Sequence, residues 1–438
     1  MTADDGLLPV EPRTELLLRL DAARVFKRLF HLERALVVAA AAWVPDVARL
    51  ESKAALARAS WESALTAQAL RERVFELRYP DRSLDPGPDR SLVTVFEAAL
   101  HAPSGAALAH AMATALLPAQ RAAYAAYLRA SDDVADGPSQ RFLSLAIADK
   151  DRQQKDLSAV AETELRPDPE ARSTADRWSR AIDARLEQAT GPRGDDATGE
   201  VIAPGRRFAL RQRPARDERY FSSSFYWPDN FDPNYAYGDG FRLQLRAAVS
   251  HLNEVWAVET AGAILAGLGD DLGWEFILDA ARWLYDESRH MLMGKQRLEW
   301  WGFDPSSIPL GSYIYEACTD QEVLYRLGML AYFETKNIGK KRERAATFQV
   351  LGDAASARDM DFDWADEAIH AGYGRKWMRA ALDARGHEAL SWPDVTQRCE
   401  ELVAARVASA TEEEKRVLRR RADALIAEAA GRIRSLPA

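Results

Sequence analysis

Apolar residues recur at intervals of three and four positions along most of this chain, which is the period of amphipathic α-helices. Alanine, leucine, arginine and glutamate dominate the first part of the sequence, and all four favour helices. The pattern predicts four long helices there, at residues 14–43, 47–78, 98–130 and 139–165. Long helices joined by short loops make a helix bundle the expected architecture.

The next segment, residues 166–240, has a different character. Only its first part, up to about residue 187, keeps a helical pattern, and the remainder is rich in turn-forming residues. Aromatic residues are dense between Tyr220 and Tyr237, and this density argues against free disorder. We expect the segment to pack on one or both bundles and to cover a pocket, or to act as an ordered belt between two domains.

Helical periodicity returns near residue 241. The predicted helices span residues 241–268, 274–301, 320–351 and 364–385, followed by a charged pair at 392–410 and 412–434. We therefore expect an all-α protein. Its expected parts are an N-terminal helical bundle (1–165), an aromatic-rich linker (166–240), a second four-helix bundle (241–385) and a C-terminal helical appendage (386–438).

Composition argues against nucleic-acid binding, membrane insertion and cysteine-based sites. The 438 residues carry a formal net charge of −9, which provides no basic surface for nucleic acid or an anionic membrane. The apolar run at residues 35–44 is too short to span a bilayer, and no export signal precedes it. Two cysteines, Cys318 and Cys399, cannot build a disulfide framework or a cysteine-ligated metal site. We expect a cytoplasmic protein that contacts neither nucleic acid nor membrane.

Two short motifs carry the candidate chemistry. The pattern D-E-x-x-H begins at Asp286 and again at Asp366, on two predicted helices. Chance would produce it on the order of 0.05 times in a chain with so few histidines. A glutamate and a histidine three positions apart project from one helix face, so each motif can bind a metal ion. The predicted ligands are Glu287 with His290 and Glu367 with His370.

The other two helices of a four-helix dimetal site each contribute one glutamate. Glu334 lies on the apolar stripe of the third helix, where a buried carboxylate needs a partner. The first helix offers Glu254 and Glu259. We prefer Glu259, because small and apolar residues share its stripe and leave room for metal, and we keep Glu254 as the alternative.

Four carboxylates and two imidazoles can hold two divalent ions. Hard oxygen donors with one nitrogen per metal suit iron or manganese better than zinc. Asp286 and Asp366 are expected to accept the far N–H of the ligating histidines and so to fix their tautomers.

This motif set resembles the ferritin-like superfamily of dimetal-carboxylate proteins, over roughly residues 241–385. The superfamily includes the small subunit of ribonucleotide reductase, multicomponent monooxygenases, acyl carrier protein desaturases, N-oxygenases, manganese catalases and ferritins. The resemblance implies a ferritin-like four-helix bundle with a dinuclear centre of two iron ions, or of manganese or mixed metals. It also implies O2, a small-molecule substrate and an electron-donor protein as partners.

The first half looks like a second ferritin-like bundle that has lost its ligands. Glu33 and Glu62 are 29 residues apart, and Glu259 and Glu287 are 28 apart, but Leu65 stands where the histidine should follow. The fourth helix of this half offers only Asp149, Asp151 and Gln154. We interpret this as a tandem duplication whose N-terminal copy keeps a structural or dimerising role, and we expect a homodimer. The alternative is that two bundles merely share a helix length.

Three functions are compatible with these features. The first is a non-haem di-iron oxidase or monooxygenase that activates O2 to oxidise a small organic substrate. The second is peroxide or iron handling, as in a manganese catalase or a ferroxidase. The third is a nonenzymatic interaction protein with a structural metal. We favour the first, because a merely structural bundle gains little from burying four carboxylates.

Overall fold

The computed structural model of the protein describes residues 17–190 and 207–434. Within these ranges the protein is all-α, as the hydrophobic pattern predicts, and strand is limited to one pair of two-residue segments. The start of the first predicted helix, the Gly- and Asp-rich part of the linker and the last four residues lie outside the described residues.

The first half is built from helices of very different length. Its described helices are α1 (Arg19–Ala42), α2 (Leu50–Arg78), α3 (Arg90–Glu97), α4 (Gly105–Ala111), α5 (Leu117–Ala130), α6 (Gly137–Leu165) and α7 (Pro169–Thr190). The single helix predicted over residues 98–130 is wrong, because it is divided. Ser104 caps the start of α4, and a π-helical turn at Met112–Leu116 precedes Pro118, which has no N–H for a regular helix.

The second half also combines long and short helices. They are α8 (Gly240–Leu252), α9 (Val255–Leu272), α10 (Trp274–Trp300), α11 (Tyr313–Ala317), α12 (Val323–Val350), α13 (Ala354–Ala384), α14 (Trp392–Ala408) and α15 (Glu412–Arg434), and α13 is the longest helix among the described residues. Gly273 adopts a φ of 78°, which ends α9 and lets α10 begin at the next residue. The α13 helix begins ten residues before the predicted start, because Asp353 caps it by accepting a hydrogen bond from Ser356 N.

The helix predicted over residues 241–268 is interrupted at Asn253 and Glu254. The buried Asn253 side chain donates to Pro309 O at 3.0 Å and accepts from Gly311 N at 2.7 Å. These bonds pair backbone groups of a loop that is far away in sequence, so the helical periodicity of this segment could not predict them. The interruption separates α8 from α9 and places Glu254 immediately before α9.

The linker is ordered over its described part and contacts both halves. Ala215 N donates to Pro45 O, and β1 (Phe221–Ser222) pairs in parallel with β2 (Pro309–Leu310). Several of its aromatic side chains are buried: Tyr220, Phe225, Tyr226 and Trp227. Both expected arrangements therefore occur together, since the segment packs on the two halves and joins them.

The two halves share one hydrophobic core. The α1 helix packs on α9, and α2 packs on α10. At Gly262 a Cβ atom would lie 2.4 Å from Ala41 O, so the backbones of α1 and α9 nearly touch there. The C-terminal helices cover the second half: α14 packs on α12, and α15 packs on α8. Among the described residues, no helix has both the length and the apolar character that crossing a bilayer requires.

Candidate metal centre

Four helices of the second half, α9, α10, α12 and α13, surround a group of buried carboxylates and imidazoles. His290 and His370 are fully buried, and Glu287, Glu334 and Glu367 are between 1% and 4% exposed. Both D-E-x-x-H motifs therefore project inward, and Glu334 of α12 meets them. The structure brings five of the six predicted ligands together.

Glu287 lies between the two histidines. Its Oε1 is 3.1 Å from His370 Nδ1, and its Oε2 is 3.6 Å from His290 Nδ1. Glu334 approaches the first of these imidazoles, with Oε1 at 3.9 Å from His370 Nδ1. One ligand atom from each of Glu287, Glu334 and His370 falls within 4.8 Å of the others. Glu287 thus has one carboxylate oxygen near each imidazole.

A second group of possible ligands surrounds His290. Ligand atoms also lie within 4.8 Å of one another in two further groups. One group is Glu254, Glu287 and His290, and the other is His290, Asp363 and Glu367. Each histidine therefore lies in a group of side chains that could hold a metal ion, and Glu287 belongs to a group around each of them.

Lys341 of α12 lies among the carboxylates of this second group. Its Nζ donates to Asp363 Oδ1 at 2.7 Å, to Glu254 Oε1 at 3.2 Å and to Glu367. An ammonium group therefore offsets part of the negative charge on this side of the cluster.

Several buried polar atoms of the cluster have no hydrogen-bond partner. They are His290 Nδ1, His370 Nδ1, Glu254 Oε2, Glu287 Oε1, Glu334 Oε2 and Glu367 Oε2. Leaving a buried polar atom unpaired is costly, and so many on one small cluster need an explanation. Nitrogen and carboxylate oxygen are donors to iron and manganese, so the residues present fit two such ions.

The far nitrogens of the histidines are held by aspartates in a crossed arrangement. His290 Nε2 lies 3.2 Å from Asp366 Oδ2, and His370 Nε2 lies 3.4 Å from Asp286 Oδ2. Each aspartate thus contacts the histidine of the other D-E-x-x-H motif. Arg289 donates to both aspartates, at 2.6 Å to Asp286 and at 2.9 Å to Asp366. With the proton on Nε2, each Nδ1 lone pair faces the cluster.

The pKa shifts show that the cluster favours positive charge. Burial acts to raise the pKa of Glu287, but the close approach of the His290 and His370 imidazoles outweighs it and lowers that pKa. Burial and then the charge of Glu287 raise the pKa of Glu334 well above its ordinary value. Burial acts to lower the pKa of His370, yet Asp286 and Glu287 outweigh it and raise the pKa to about 9. A metal ion would supply the positive charge that these carboxylates attract.

The structure places Glu259, the preferred first-helix ligand, outside the cluster. Its buried carboxylate lies 3.0 Å from Lys53 Nζ of α2 and accepts two hydrogen bonds from Arg216 of the linker. Glu254, the alternative, occupies the ligand position instead. The physical reason is the interruption at Asn253, which sets Glu254 at the start of α9 facing His290.

Asp363 and Lys341 were not predicted as part of the site. Asp363 lies four residues before Glu367, and Lys341 lies seven residues after Glu334, so each shares a helix face with a predicted ligand. That spacing is the signal that could have identified them. His251 is a further member, since its Nε2 lies 2.8 Å from Asp363 Oδ2.

The corresponding interior of the first half holds a salt bridge. Lys150 Nζ of α6 lies 2.8 Å from Glu33 Oε2 of α1, and both side chains are fully buried. Tyr124 donates to the other oxygen of Glu33, and Gln153 accepts from Lys150 at 3.0 Å. Glu33 is buried. On the fourth helix of this half, Lys150 and Gln153 point inward, whereas Asp151 is exposed.

A cavity of about 310 Å³ adjoins the metal cluster. Glu254, Glu287, Glu334 and Glu367 form one part of its wall. The rest of the wall comes from the linker and from α8, α9, α11, α12 and α13, so the linker contributes to the wall of a pocket. The volume lies at the lower end of the range for small-molecule sites.

Comparison with known proteins gives one family. A family model described as "Protein of unknown function (DUF455)" matches residues 200–424, which include the whole metal cluster and the cavity wall. No curated protein matches the chain, and no solved structure matches it.

Proposed function

This chain belongs to the DUF455 family of proteins of unknown function, and we propose that it is a non-haem dimetal oxidoreductase that uses O2 to oxidise a small organic substrate. One observation carries the proposal: six buried nitrogen and oxygen atoms on four helices converge without hydrogen-bond partners. Carboxylate-rich centres with one imidazole per metal suit iron and manganese. Two iron ions are the proposed cofactors, with manganese as the substitute.

The charge of the cluster supports two divalent ions. Its five carboxylates are Glu254, Glu287, Glu334, Asp363 and Glu367, and Lys341 supplies one ammonium. Their net charge is −4, which two divalent cations neutralise. Asp286 and Asp366 do not enter this balance, because Arg282 and Arg289 offset them.

Residues around the ligands would hold the centre rigid. Trp283 donates Nε1 to Glu334 Oε1 at 3.3 Å and stacks on His370, with ring centroids 5.4 Å apart. Asp286 and Asp366 orient the imidazoles through Nε2. These groups fix ligand positions before metal arrives, which lowers the reorganisation that binding requires.

Two iron ions held by these carboxylates and imidazoles would supply redox chemistry for the reduction of O2. A monooxygenase reaction inserts one oxygen atom into the substrate and releases the other as water. The substrate supplies two electrons, and a donor protein supplies the other two together with two protons. The cavity positions the substrate beside Glu254, Glu287 and Glu334.

Metal loading and O2 consumption test the proposal. The protein is reconstituted with Fe(II) without oxygen, assayed for metal content, and then exposed to O2 with a chemical reductant. We expect two iron ions per chain and O2 uptake that depends on them. The double variant Glu287→Ala with His290→Ala should lose both metal and uptake.

Glu62→Ala in the first half is the matched control, because Glu62 pairs with Arg152 and lies outside the cluster. It should retain two ions per chain. Absence of bound iron or manganese in the native protein, or full metal content in the double variant, would refute the centre. Peroxide disproportionation by the manganese form, without O2 uptake by the iron form, would favour the catalase function instead.

A further inference from the structure

The cavity beside the metal cluster has a second, chemically different region. Arg246 of α8, Tyr237 of the linker, and Lys340 and Arg344 of α12 line the same cavity as the carboxylate ligands. We call these four residues the cationic end. Arg344 lies three residues beyond Lys341, which is almost one helical turn further along α12.

Arg246 is a buried cation with an unused donor. Its side chain is 6% exposed, and its Nε and Nη2 each donate to Asp229 at 2.9 Å. Its Nη1 is buried and has no partner. A guanidinium offers five N–H donors in a fixed plane, so the remaining edge is available for an oxyanion.

Tyr237 joins Arg246 to Arg344. Its ring centroid lies 4.7 Å from Arg246 Cζ and 4.4 Å from Arg344 Cζ, so both guanidinium groups stack on it. The Tyr237 hydroxyl is also buried without a hydrogen-bond partner. Two unpaired polar groups, one from Arg246 and one from Tyr237, therefore lie in one wall of the cavity.

The charges of the cationic end are not balanced. Asp229 offsets Arg246, but within the described residues Lys340 and Arg344 have no carboxylate within 4.0 Å. This region therefore carries a net charge of +2, while the loaded metal cluster is neutral. The wall of the cavity also carries the aromatic side chains of Trp256, Phe333 and Tyr313.

We propose that the substrate of this cavity is an aromatic or similarly flat organic anion whose carboxylate or phosphate group binds Arg246, Tyr237 and Arg344. This inference rests on the proposed function, because it names the substrate class of the same site. The oxyanion pairs with the unused Nη1 and the hydroxyl, and the apolar body extends along the aromatic wall toward the metal ligands.

Calorimetric binding of small probes tests this proposal on the full-length protein loaded with Mn(II) in the absence of reductant. The probes are benzoate, phenyl phosphate and the uncharged benzyl alcohol. We expect at least one anion to bind at least tenfold more tightly than benzyl alcohol. The tighter of the two anions identifies the oxyanion as carboxylate or phosphate.

Two variants show where the anion binds. Tyr237→Phe removes only the hydroxyl and keeps the ring between the arginines, so anion binding should weaken about fivefold. Arg344→Gln removes one charge at a partly exposed position, and it should weaken anion binding about tenfold. Arg342→Gln is the matched control, because Arg342 is on the same helix but stacks on Trp364 away from the cavity. It should leave binding unchanged.

Two results would overturn the inference while leaving the metal centre intact. One is equal affinity of the loaded protein for the anions and for benzyl alcohol. The other is anion binding that Tyr237→Phe and Arg344→Gln do not alter, which would place the anion on the metals or elsewhere. Failure of the protein to bind metal would instead refute the proposed function, and the calorimetry without metal would still report anion affinity at the cationic end.

Discussion

Glu254 and Glu259 lie five residues apart on the same stretch of chain, yet their electrostatic partners differ completely. Glu254 faces His290 and Lys341, and one of its oxygens has no hydrogen-bond partner. Glu259 is enclosed by Lys53 and Arg216. A carboxylate with two cationic partners is already neutralised, so of these two residues we propose Glu254 as the metal ligand.

Replacing these two glutamates should therefore have opposite effects. Glu254→Ala should reduce metal content from two ions per chain to about one and leave the fold intact. Glu259→Ala should retain two ions but destabilise the protein by about 3–5 kcal/mol, because it leaves Lys53 buried without its partner. Metal analysis and denaturant unfolding of both variants measure these outcomes. Loss of metal in Glu259→Ala at a temperature where it remains folded would contradict this assignment.

Lys341 adds a positive charge to a cluster that otherwise attracts cations. Lys341→Met should leave Glu254, Asp363 and Glu367 repelling one another, so the metal-free protein should lose about 3–5 kcal/mol of stability. Metal affinity should rise, because the competing ammonium is gone. Thermal unfolding with EDTA and with Mn(II) should show a larger metal-induced increase in Tm than in the native protein. A smaller increase would mean that Lys341 helps to assemble the site.

The two cysteines should be unreactive in the native protein. Burial raises the pKa of Cys318 to about 11 and that of Cys399 to about 12. Because only the thiolate attacks alkylating reagents, both thiols should stay protonated and unlabelled up to about pH 9. Mass spectrometry after iodoacetamide treatment measures this, and unfolded protein is the control that should be labelled twice. Rapid labelling of either cysteine at pH 8 in folded protein would contradict the prediction.

At the scale of whole elements, α8 and α10 approach so closely that Gly294 is required. A Cβ there would lie 2.1 Å from Leu252 N and 2.5 Å from Ala248 O, and both are backbone atoms that cannot rotate away. The α8 helix leads directly to Glu254 and carries Arg246. The spacing of these two helices therefore sets the position of a metal ligand and of the cationic end together.

Gly294→Ala should push α8 away from α10. We expect a loss of about 1–3 kcal/mol in stability and weaker metal binding, because Glu254 moves with the helix. Gly372→Ala on α13 is the matched control, since a Cβ there meets nothing within 4 Å. It should stabilise the protein by about 0.5–1 kcal/mol through helix propensity. Equal stability of the two variants in urea unfolding would show that the α8–α10 contact is looser than the geometry indicates.

Helical period and motif spacing predicted the elements better than their interruptions. Both D-E-x-x-H pairs and Glu334 came from positions along regular helices, and the structure brings them together. Glu254 was ranked second because Glu259 shares a stripe with small and apolar residues. The break at Asn253, which changes this ranking, depends on bonds to Pro309 and Gly311, more than 50 residues away. Such long-range hydrogen bonds leave no periodic trace in the sequence.

In the first half as well, the sequence did not predict which polar residues face the interior, because no motif marks them. On the fourth helix of this half the sequence offered only Asp149, Asp151 and Gln154 in place of a Glu-x-x-His pair. The structure instead turns Lys150 and Gln153 inward, where Lys150 satisfies Glu33. A buried lysine is rare enough that the apolar pattern alone would not assign it to the interior.

At the scale of the whole molecule, the two halves share one hydrophobic core, but the polar groups buried inside each half differ. The interior of the first half contains the Glu33–Lys150 ion pair. The interior of the second half contains carboxylate and imidazole atoms without hydrogen-bond partners. The α1–α9 contact at Gly262 and the Lys53–Glu259 pair connect the two halves. Substitutions inside the first half should therefore lower the stability of the whole protein without removing any ligand of the proposed metal centre.

Glu33→Gln tests this coupling, because it leaves the Lys150 ammonium buried with its charge uncompensated. The expected loss is about 3–5 kcal/mol, while the metal content of the folded protein stays at two ions per chain. The double change Glu33→Leu with Lys150→Met, which replaces both charges by apolar groups, should recover most of that loss. Since the halves share one core, circular dichroism and metal release should report a single coincident transition on heating. Two separated transitions, with metal retained after the first half has melted, would show instead that the second half is an independently stable domain.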